Sequence, residues 1–261
     1  MRRQLLTALA ATLVLAVITG LIYPLAVWAI GQGLFNYRAN GSFTKNAKGQ
    51  VVGSALIGQE YLDKQGNALP QYFQPRPSAA GTGYTGNASA ASNLGPGDPR
   101  LVGFIPGLNA VDANGNTATT NPFATPDDPY CVPMDAKTGN PVYSPPITAG
   151  DQYAKNKDGT YVCDPNTVPE RAIAYRQLNG LDAKALVPVD AVTDSFSGLD
   201  PDISVANADL QAARIAKARN LPVSTVMSTV KSHTNARAFG VLGEKTVNVL
   251  DLNLALDALH T

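Results

Sequence analysis

His233 and His260 are the only imidazoles in the chain. A histidine-based triad would have to join His233 to a carboxylate and an exposed nucleophile, and no G-x-S-x-G or comparable pattern supplies one. The simpler reading of His233 is a polar residue ending a helix. Gly81-Thr82-Gly83-Tyr84-Thr85-Gly86 matches G-x-G-x-x-G letter for letter. That motif cradles a dinucleotide only where it joins a strand to a helix, and here it lies in a Gly/Ser/Asn stretch with no helical pattern behind it. The densest carboxylates are Asp194, Asp200 and Asp202. They offer hard oxygen ligands, but the EF-hand spacing and its terminal Glu are missing, which leaves a capping loop ahead of a helix. No P-loop and no ATPase aspartate motif occurs. The expectation is a chain with no catalytic residue and no metal site, which does no chemistry alone.

The two cysteines, Cys131 and Cys163, lack the CxxC or Cys/His spacing of a zinc site. At most they form one bridge. They lie 32 residues apart in a loop-rich segment, and a disulfide there persists only in an oxidising compartment. We expect the Cys131–Cys163 disulfide.

Residues 4–37 hold no charge, and residues 5–30 are nearly all Leu, Ala, Val, Ile and Thr. Such a run must close its backbone hydrogen bonds as a helix in lipid. Its length as a helix, about 39 Å, crosses a hydrocarbon core of about 30 Å with tilt. Tyr23, Trp28, Phe35 and Tyr37 gather at the C-terminal end like an aromatic belt. A cleaved signal peptide would have a far shorter apolar part and a small-residue cleavage site, so a retained anchor is the better reading. Pro24, four residues after Gly20, removes a backbone donor and is expected to kink the helix. Gly20, Tyr23 and Pro24 then shape the face offered to another transmembrane helix. Arg2 and Arg3 on a short N-terminus favour a cytoplasmic N-terminal tail over residues 1–4 and an extracytoplasmic domain over residues 31–261.

Twenty basic and twenty acidic side chains cancel. A phosphate-backbone binder normally shows a basic excess on one face, so nucleic acid is excluded as an expected partner. Residues 38–102 carry short β-like runs such as residues 50–57. Residues 103–170 hold ten of the nineteen prolines, at 106, 122, 126, 129, 133, 141, 145, 146, 165 and 169. They read as a loop-rich insertion stapled by the bridge. Beyond it, Ser204 is an N-cap candidate. Val205, Ala208, Ala212, Ile215 and Ala216 make an apolar stripe, and Pro222 stops the helix. A second helix fits residues 224–233. Residues 245–253 alternate like a strand, with a terminal helix over residues 252–259. The fold class is α+β: one N-terminal transmembrane helix followed by a mixed extracytoplasmic domain.

Several segments together resemble one family. They are Thr19-Gly20-Leu21-Ile22-Tyr23-Pro24-Leu25, Asn40-Gly41-Ser42, Gly53-Ser54-Ala55-Leu56-Ile57-Gly58-Gln59, Tyr72-Phe73-Gln74-Pro75-Arg76-Pro77-Ser78 and Ala91-Ser92-Asn93-Leu94-Gly95-Pro96. Near the end come Ser197-Gly198-Leu199-Asp200-Pro201-Asp202-Ile203-Ser204, Arg214-Ile215-Ala216-Lys217-Ala218-Arg219, Gly240-Val241-Leu242-Gly243-Glu244 and the run over residues 247–256. In this order around one anchor they resemble the C subunit of the Kdp-type potassium-transporting P-type ATPase (KdpC), over the whole chain except roughly residues 103–170, where anything inferred is local to this chain.

The resemblance implies an accessory subunit of an ATP-driven potassium importer. Its implied partners are a channel-like potassium-translocating subunit, a P-type ATPase subunit and a very small accessory subunit. Its implied roles are to stabilise assembly and, as a catalytic chaperone, to raise ATP affinity. ATP is thus a family attribute. An outer domain cannot touch cytoplasmic ATP, so coupling would run through the other subunits, and the residues themselves imply no directly bound cofactor. Membrane lipid is a further expected partner. A membrane-anchored extracytoplasmic binding or wall-associated protein unrelated to transport is the competing reading that composition permits. The expected interaction surface comprises Gly53, Ser54, Gly58, Gln59, Phe73, Arg76, Pro77, Ser78, Ser92, Asn93, Gly95 and Pro96. Gln59, Arg76, Ser78 and Asn93 would be its polar contacts, with Ala91 and the glycines allowing close backbone approach.

Overall fold

The computed structural model describes residues 1–110, 112, 116–143 and 152–259. Pro145, Pro146 and His260 lie outside the described residues. The chain divides into two units, Met1–Leu56 and Ile57–Thr261.

The first unit opens with one apolar helical run, Arg2–Leu34, long and apolar enough to cross a membrane. It consists of α1 (Arg2–Val17), a π-helical turn over Ile18–Ile22, and α2 (Tyr23–Leu34). The expected disturbance at Pro24 takes the form of that wide turn. Pro24 has no N–H to give to the preceding turn, and the Tyr23 N–H reaches back to the Ile18 carbonyl instead. The Thr19 hydroxyl donates to the Leu15 carbonyl at 2.8 Å, beside the same irregularity. A short helix, α3 (Asn36–Ala39), follows. The unit ends in an antiparallel hairpin of β1 (Phe43–Lys45) and β2 (Val51–Ser54), which pairs Phe43 with Ser54 and Thr44 with Gly53. Gly53 and Ser54 therefore belong to this hairpin, and the Ser54 hydroxyl is spent on the Gly41 carbonyl at 2.7 Å.

In the second unit, α4 (Pro99–Val102) and α5 (Val168–Asn179) flank the loop-rich segment, and β3 (Asp202–Ser204) leads into α6 (Val205–Arg219). Then come α7 (Val223–Ser232), β4 (Thr234–Asn235), β5 (Thr246–Asn248) and α8 (Val249–Ala258). β5 is central in an antiparallel sheet of order β3-β5-β4, with Ile203 opposite Val247. Ser204 caps α6 as expected, its hydroxyl accepting from the Asn207 N–H at 3.1 Å. The stripe residues Ala208, Ala212, Ile215 and Ala216 are buried. They pack with Phe73, Val226, Val230, Val247, Leu252 and Leu256 into the main core, where each fully buried Val, Leu, Ile or Phe contributes about 1.5–3 kcal/mol.

One expectation is corrected. The strand over residues 245–253 stops at Asn248, whose side-chain oxygen accepts from the Asp251 N–H at 3.1 Å and starts α8 at Val249. Among its described residues the 103–170 segment has few regular elements, as expected of a loop-rich insertion. It owns a second core of Phe104, Phe123, Val132, Tyr153 and Cys131. Phe123 meets Tyr153 and Tyr161 edge-on with centroids 4.9 and 5.1 Å apart. Cys131 and Cys163 are joined in a disulfide with Cα atoms 5.2 Å apart.

Candidate interaction surface

The loop over residues 193–200 is held from several sides by the segment over residues 76–90. The Arg76 guanidinium donates through Nη1 to Asp200 Oδ2 at 3.2 Å, and through Nη2 to the carbonyl of Asp194 at 3.2 Å and of Thr193 at 3.5 Å. Its Nε is buried without an acceptor. The Ser78 hydroxyl donates to the Gly198 carbonyl at 2.6 Å and accepts from the N–H groups of Ala80 and Tyr84. Gly198 has φ +66, and a Cβ there would come within 2.5 Å of the Ala90 carbonyl. Only glycine admits this crossing of two backbones. The Ala90 N–H and the Ser89 hydroxyl both donate to the Ser197 carbonyl, at 3.0 and 2.9 Å.

The phenol of Tyr84 lies under this crossing and donates to the Arg76 carbonyl at 2.8 Å. Burial, and then the nearby Asp200 charge, push its ionisation well above the ordinary tyrosine range, so it stays a neutral donor. Gly58 is buried against its ring, where a Cβ would stand 2.2 Å from Cε1, and the Gly58 N–H donates to the Leu199 carbonyl at 3.0 Å. Gln59 donates to the Tyr61 hydroxyl at 3.1 Å.

Phe73 is a correction. It is 0% exposed and belongs to the main core, so no partner reaches it. Arg76, Ser78 and Gly58 spend their polar groups inside the domain as scaffold of the 193–200 loop. Pro77 is half-buried in the same segment, whereas Ser92, Asn93, Gly95 and Pro96 are exposed. Asn93 takes φ +52, a left-handed conformation that asparagine tolerates better than most residues. Gly53 and Ser54 belong to the first unit.

The residue that sequence reading missed is Phe196. It sits at the tip of the loop that Arg76 and Ser78 hold and is 95% exposed. An aromatic ring left in water on a fixed loop is the kind of anchor that protein interfaces use. The signal was a lone Phe inside Asp194-Ser195-Phe196-Ser197, read as a capping loop for its carboxylates. Those carboxylates are all engaged. Asp194 pairs with Arg171 at 3.1 Å, Asp200 with Arg76, and Asp202 accepts from Thr246 and Asn248. The G-x-G-x-x-G stretch is turns, with no strand before it and no helix after it. His233 stands at the C-terminal cap of α7, its Nδ1 near the Thr229 carbonyl at 2.9 Å. Two clefts accompany these features. One of about 970 Å³ runs between the start of α6, α7 and the segment near Arg237 and Glu244. A smaller one of about 260 Å³ lies between Arg76 and α5. Neither converges nucleophile, base and oxyanion donors in the geometry of a catalytic centre.

A family description, "K+-transporting ATPase, c chain" (KdpC), matches residues 5–139 and 133–258. A relative in Mycobacterium tuberculosis is 42% identical over 259 residues, covering 99% of this chain and 100% of the relative. Relatives in Myxococcus xanthus and Caulobacter vibrioides are 39% and 36% identical, over 97% and 94% of this chain and 86% and 87% of their own lengths. Each is named "Potassium-transporting ATPase KdpC subunit". An alignment over 259 residues also corrects the expectation that the 103–170 segment is private to this chain.

Proposed function

Since this chain belongs to the KdpC family, the c chain of K+-transporting ATPases, we propose that it is the non-catalytic accessory subunit that stabilises assembly of the channel-like and P-type subunits. The membrane helix anchors it with the N-terminus in the cytoplasm and the larger unit outside. The basic pair Arg2 and Arg3 on a short tail supports this orientation, as does a disulfide suited to an oxidising compartment. A fluorescent reporter active only in the cytoplasm, fused after residue 261, should stay dark.

The observation that carries the docking reading is the fixed 193–200 loop with Phe196 at its tip. Phe196 inserts into an apolar crevice of the channel-like subunit, and the exposed residues Ser92, Asn93, Gly95 and Pro96 contribute a polar and turn-rich rim. Arg76 and Ser78 are positioning residues. Any effect on ATP affinity passes through the partner subunits as a coupling between sites, because a domain outside the membrane does not meet the nucleotide. The test is co-purification of tagged full-length chain in mild detergent. Wild type should retain both large subunits, and Phe196→Ala should lose most of them while its own melting temperature stays unchanged. Undiminished recovery with Phe196→Ala would remove this loop from the interface.

A further inference from the structure

The first unit, Met1–Leu56, holds Arg2, Arg3, Arg38, Lys45 and Lys48 but no Asp or Glu, and the first acid of the chain is Glu60. Arg38, Lys45 and Lys48 follow directly on the membrane-length helix and are all exposed. Among the described residues none of them takes part in an ion pair. Around them stand Phe35, Tyr37, Phe43 and Val51, each more than half exposed. Large apolar groups and unpaired cations thus share one short stretch of surface.

This stretch is fastened to the end of α2. The Gln32 amide donates to Asn40 Oδ1 at 3.3 Å, while its Oε1 accepts from the Asn36 and Asn40 amides, both at 3.0 Å. α3 therefore lies back on the helix, and a Cβ added at Gly31 would stand 3.7 Å from that of Ala39. The hairpin is tied on in turn. The Tyr37 hydroxyl donates to the carbonyl of buried Ser42 at 3.0 Å, which leaves its ring outside and its polar end spent. The Ala55 N–H donates to the same carbonyl at 3.0 Å, and the Ser54 hydroxyl holds Gly41. The Phe43 ring packs over Gly41, where a Cβ would come within 3.3 Å of it, and Lys45 pairs across the strands with Val51.

We propose that α3 and the β1–β2 hairpin form a platform that binds the headgroups of anionic phospholipid where the helix leaves the bilayer. Arg38, Lys45 and Lys48 meet the phosphates. Phe35, Tyr37 and Phe43 sit at the boundary of headgroups and acyl chains, the level that amphipathic aromatic side chains favour. The potential of an anionic surface reaches only about one Debye length, roughly 8–10 Å, so cations use it only if they are held near the membrane. The Gln32–Asn36–Asn40 amides do that holding. With no acid in the unit to offset them, each basic residue at the surface is expected to raise affinity for anionic lipid about fivefold. Apolar insertion and basic charge together make a stronger membrane contact than either alone. The inference rests on membrane anchorage of the helix, and not on its orientation or on transport.

The test uses Trp28, the one tryptophan of the chain, which lies in α2 near this end of the helix. The full-length chain is reconstituted in mixed vesicles in which either phosphatidylglycerol or phosphatidylcholine carries brominated acyl chains, so that quenching of Trp28 reports which lipid gathers there. Brominated phosphatidylglycerol should quench preferentially, and the preference should fall as NaCl rises. Lys45→Gln combined with Lys48→Gln should lower it about fivefold or more with the melting temperature unchanged. Arg2→Gln combined with Arg3→Gln, at the far end of the helix, should leave it in place. Equal quenching by the two lipids would overturn the proposal, and so would an undiminished preference in the lysine variant. A preference abolished by inorganic phosphate, but not by chloride at matched ionic strength, would mean a free-anion site and overturn the lipid reading. A lysine variant that keeps its lipid preference but loses the channel-like subunit would assign the hairpin to a protein contact. Trp28 quenched by neither lipid would remove the membrane anchorage together with the proposal.

Discussion

Asn253 of α8 clamps both backbone groups of Phe73, 180 residues away. Its Oδ1 accepts from the Phe73 N–H at 2.8 Å and its Nδ2 donates to the Phe73 carbonyl at 3.0 Å. The neighbouring residue is held in the same way: Gln211 of α6 accepts from the Gln74 N–H at 2.8 Å and donates to its carbonyl at 3.1 Å. Arg214 closes the preceding turn through the carbonyls of Pro70 and Tyr72 at 2.6 and 3.0 Å. Side-chain amides thus do for residues 73 and 74 what a neighbouring strand would do.

Asn253→Ala would leave a buried N–H and a buried carbonyl unpaired. At about 1–3 kcal/mol for each orphaned group, a loss of about 2–6 kcal/mol is expected, read by chemical denaturation of the full chain. Asn253→Asp should recover only part, since it keeps an acceptor for the N–H but sets an oxygen against the Phe73 carbonyl.

Arg76 separates scaffold from contact. Its ion pair with Asp200 is half-exposed, and such pairs contribute about 0–1 kcal/mol, so Arg76→Ala should lower stability only modestly. The larger consequence is release of the Thr193 and Asp194 carbonyls, which frees the loop that bears Phe196. Co-purification with the channel-like subunit should fall, and Arg76→Lys should not restore it, because an ammonium lacks the planar fork. Unaltered recovery in both variants would show that loop position does not matter.

How much of this was legible in the sequence depends on where each signal is stored. The α6 stripe and its Ser204 cap could be read because one face is apolar and the other polar. α8 could not be bounded: Leu250, Leu252, Asn253 and Leu256 are all buried, which erases the helical period and leaves an alternation that imitates a strand. α5 went unread because Arg171 and Arg176 turn their polar groups to loops inside the domain, and the Asn179 side-chain oxygen accepts from Arg214 of α6. Its one local sign was Thr167 followed three residues later by Glu170, a capping pattern. The second core escaped because Phe104, Phe123, Tyr153 and Tyr161 follow no period. Around the candidate surface the motif residues were visible. Their direction was not, since Arg76 and Ser78 carry the same letters whether they face a partner or the Gly198 turn.

The Cys131–Cys163 bridge closes a loop with a separation of 32 residues, a size for which the chain-entropy account gives about 3–4 kcal/mol. Reduction should therefore lower the melting temperature and loosen the Phe123–Tyr153–Tyr161 cluster first, seen as a change in tyrosine emission. Unreduced protein should take up no thiol-alkylating reagent.

In the membrane run, a Cβ added at Gly20 meets nothing within 4 Å. Gly20→Leu should insert and fold as well as wild type. If the wide turn beside Pro24 receives another transmembrane helix, with Gly20 and Tyr23 at the contact, the variant should lose partner subunits in detergent. Full retention would place the packing face elsewhere.

The central claim is that this chain completes a potassium-transporting complex without catalysing the reaction itself. The most direct measurement is potassium-stimulated ATP hydrolysis by the detergent-purified complex, prepared with and without the chain and again after the purified full-length chain is added back. The account predicts stimulated hydrolysis with the chain present, loss of stimulation and of subunit association without it, and recovery on addition. Equal potassium-stimulated hydrolysis in preparations that lack the chain would contradict it.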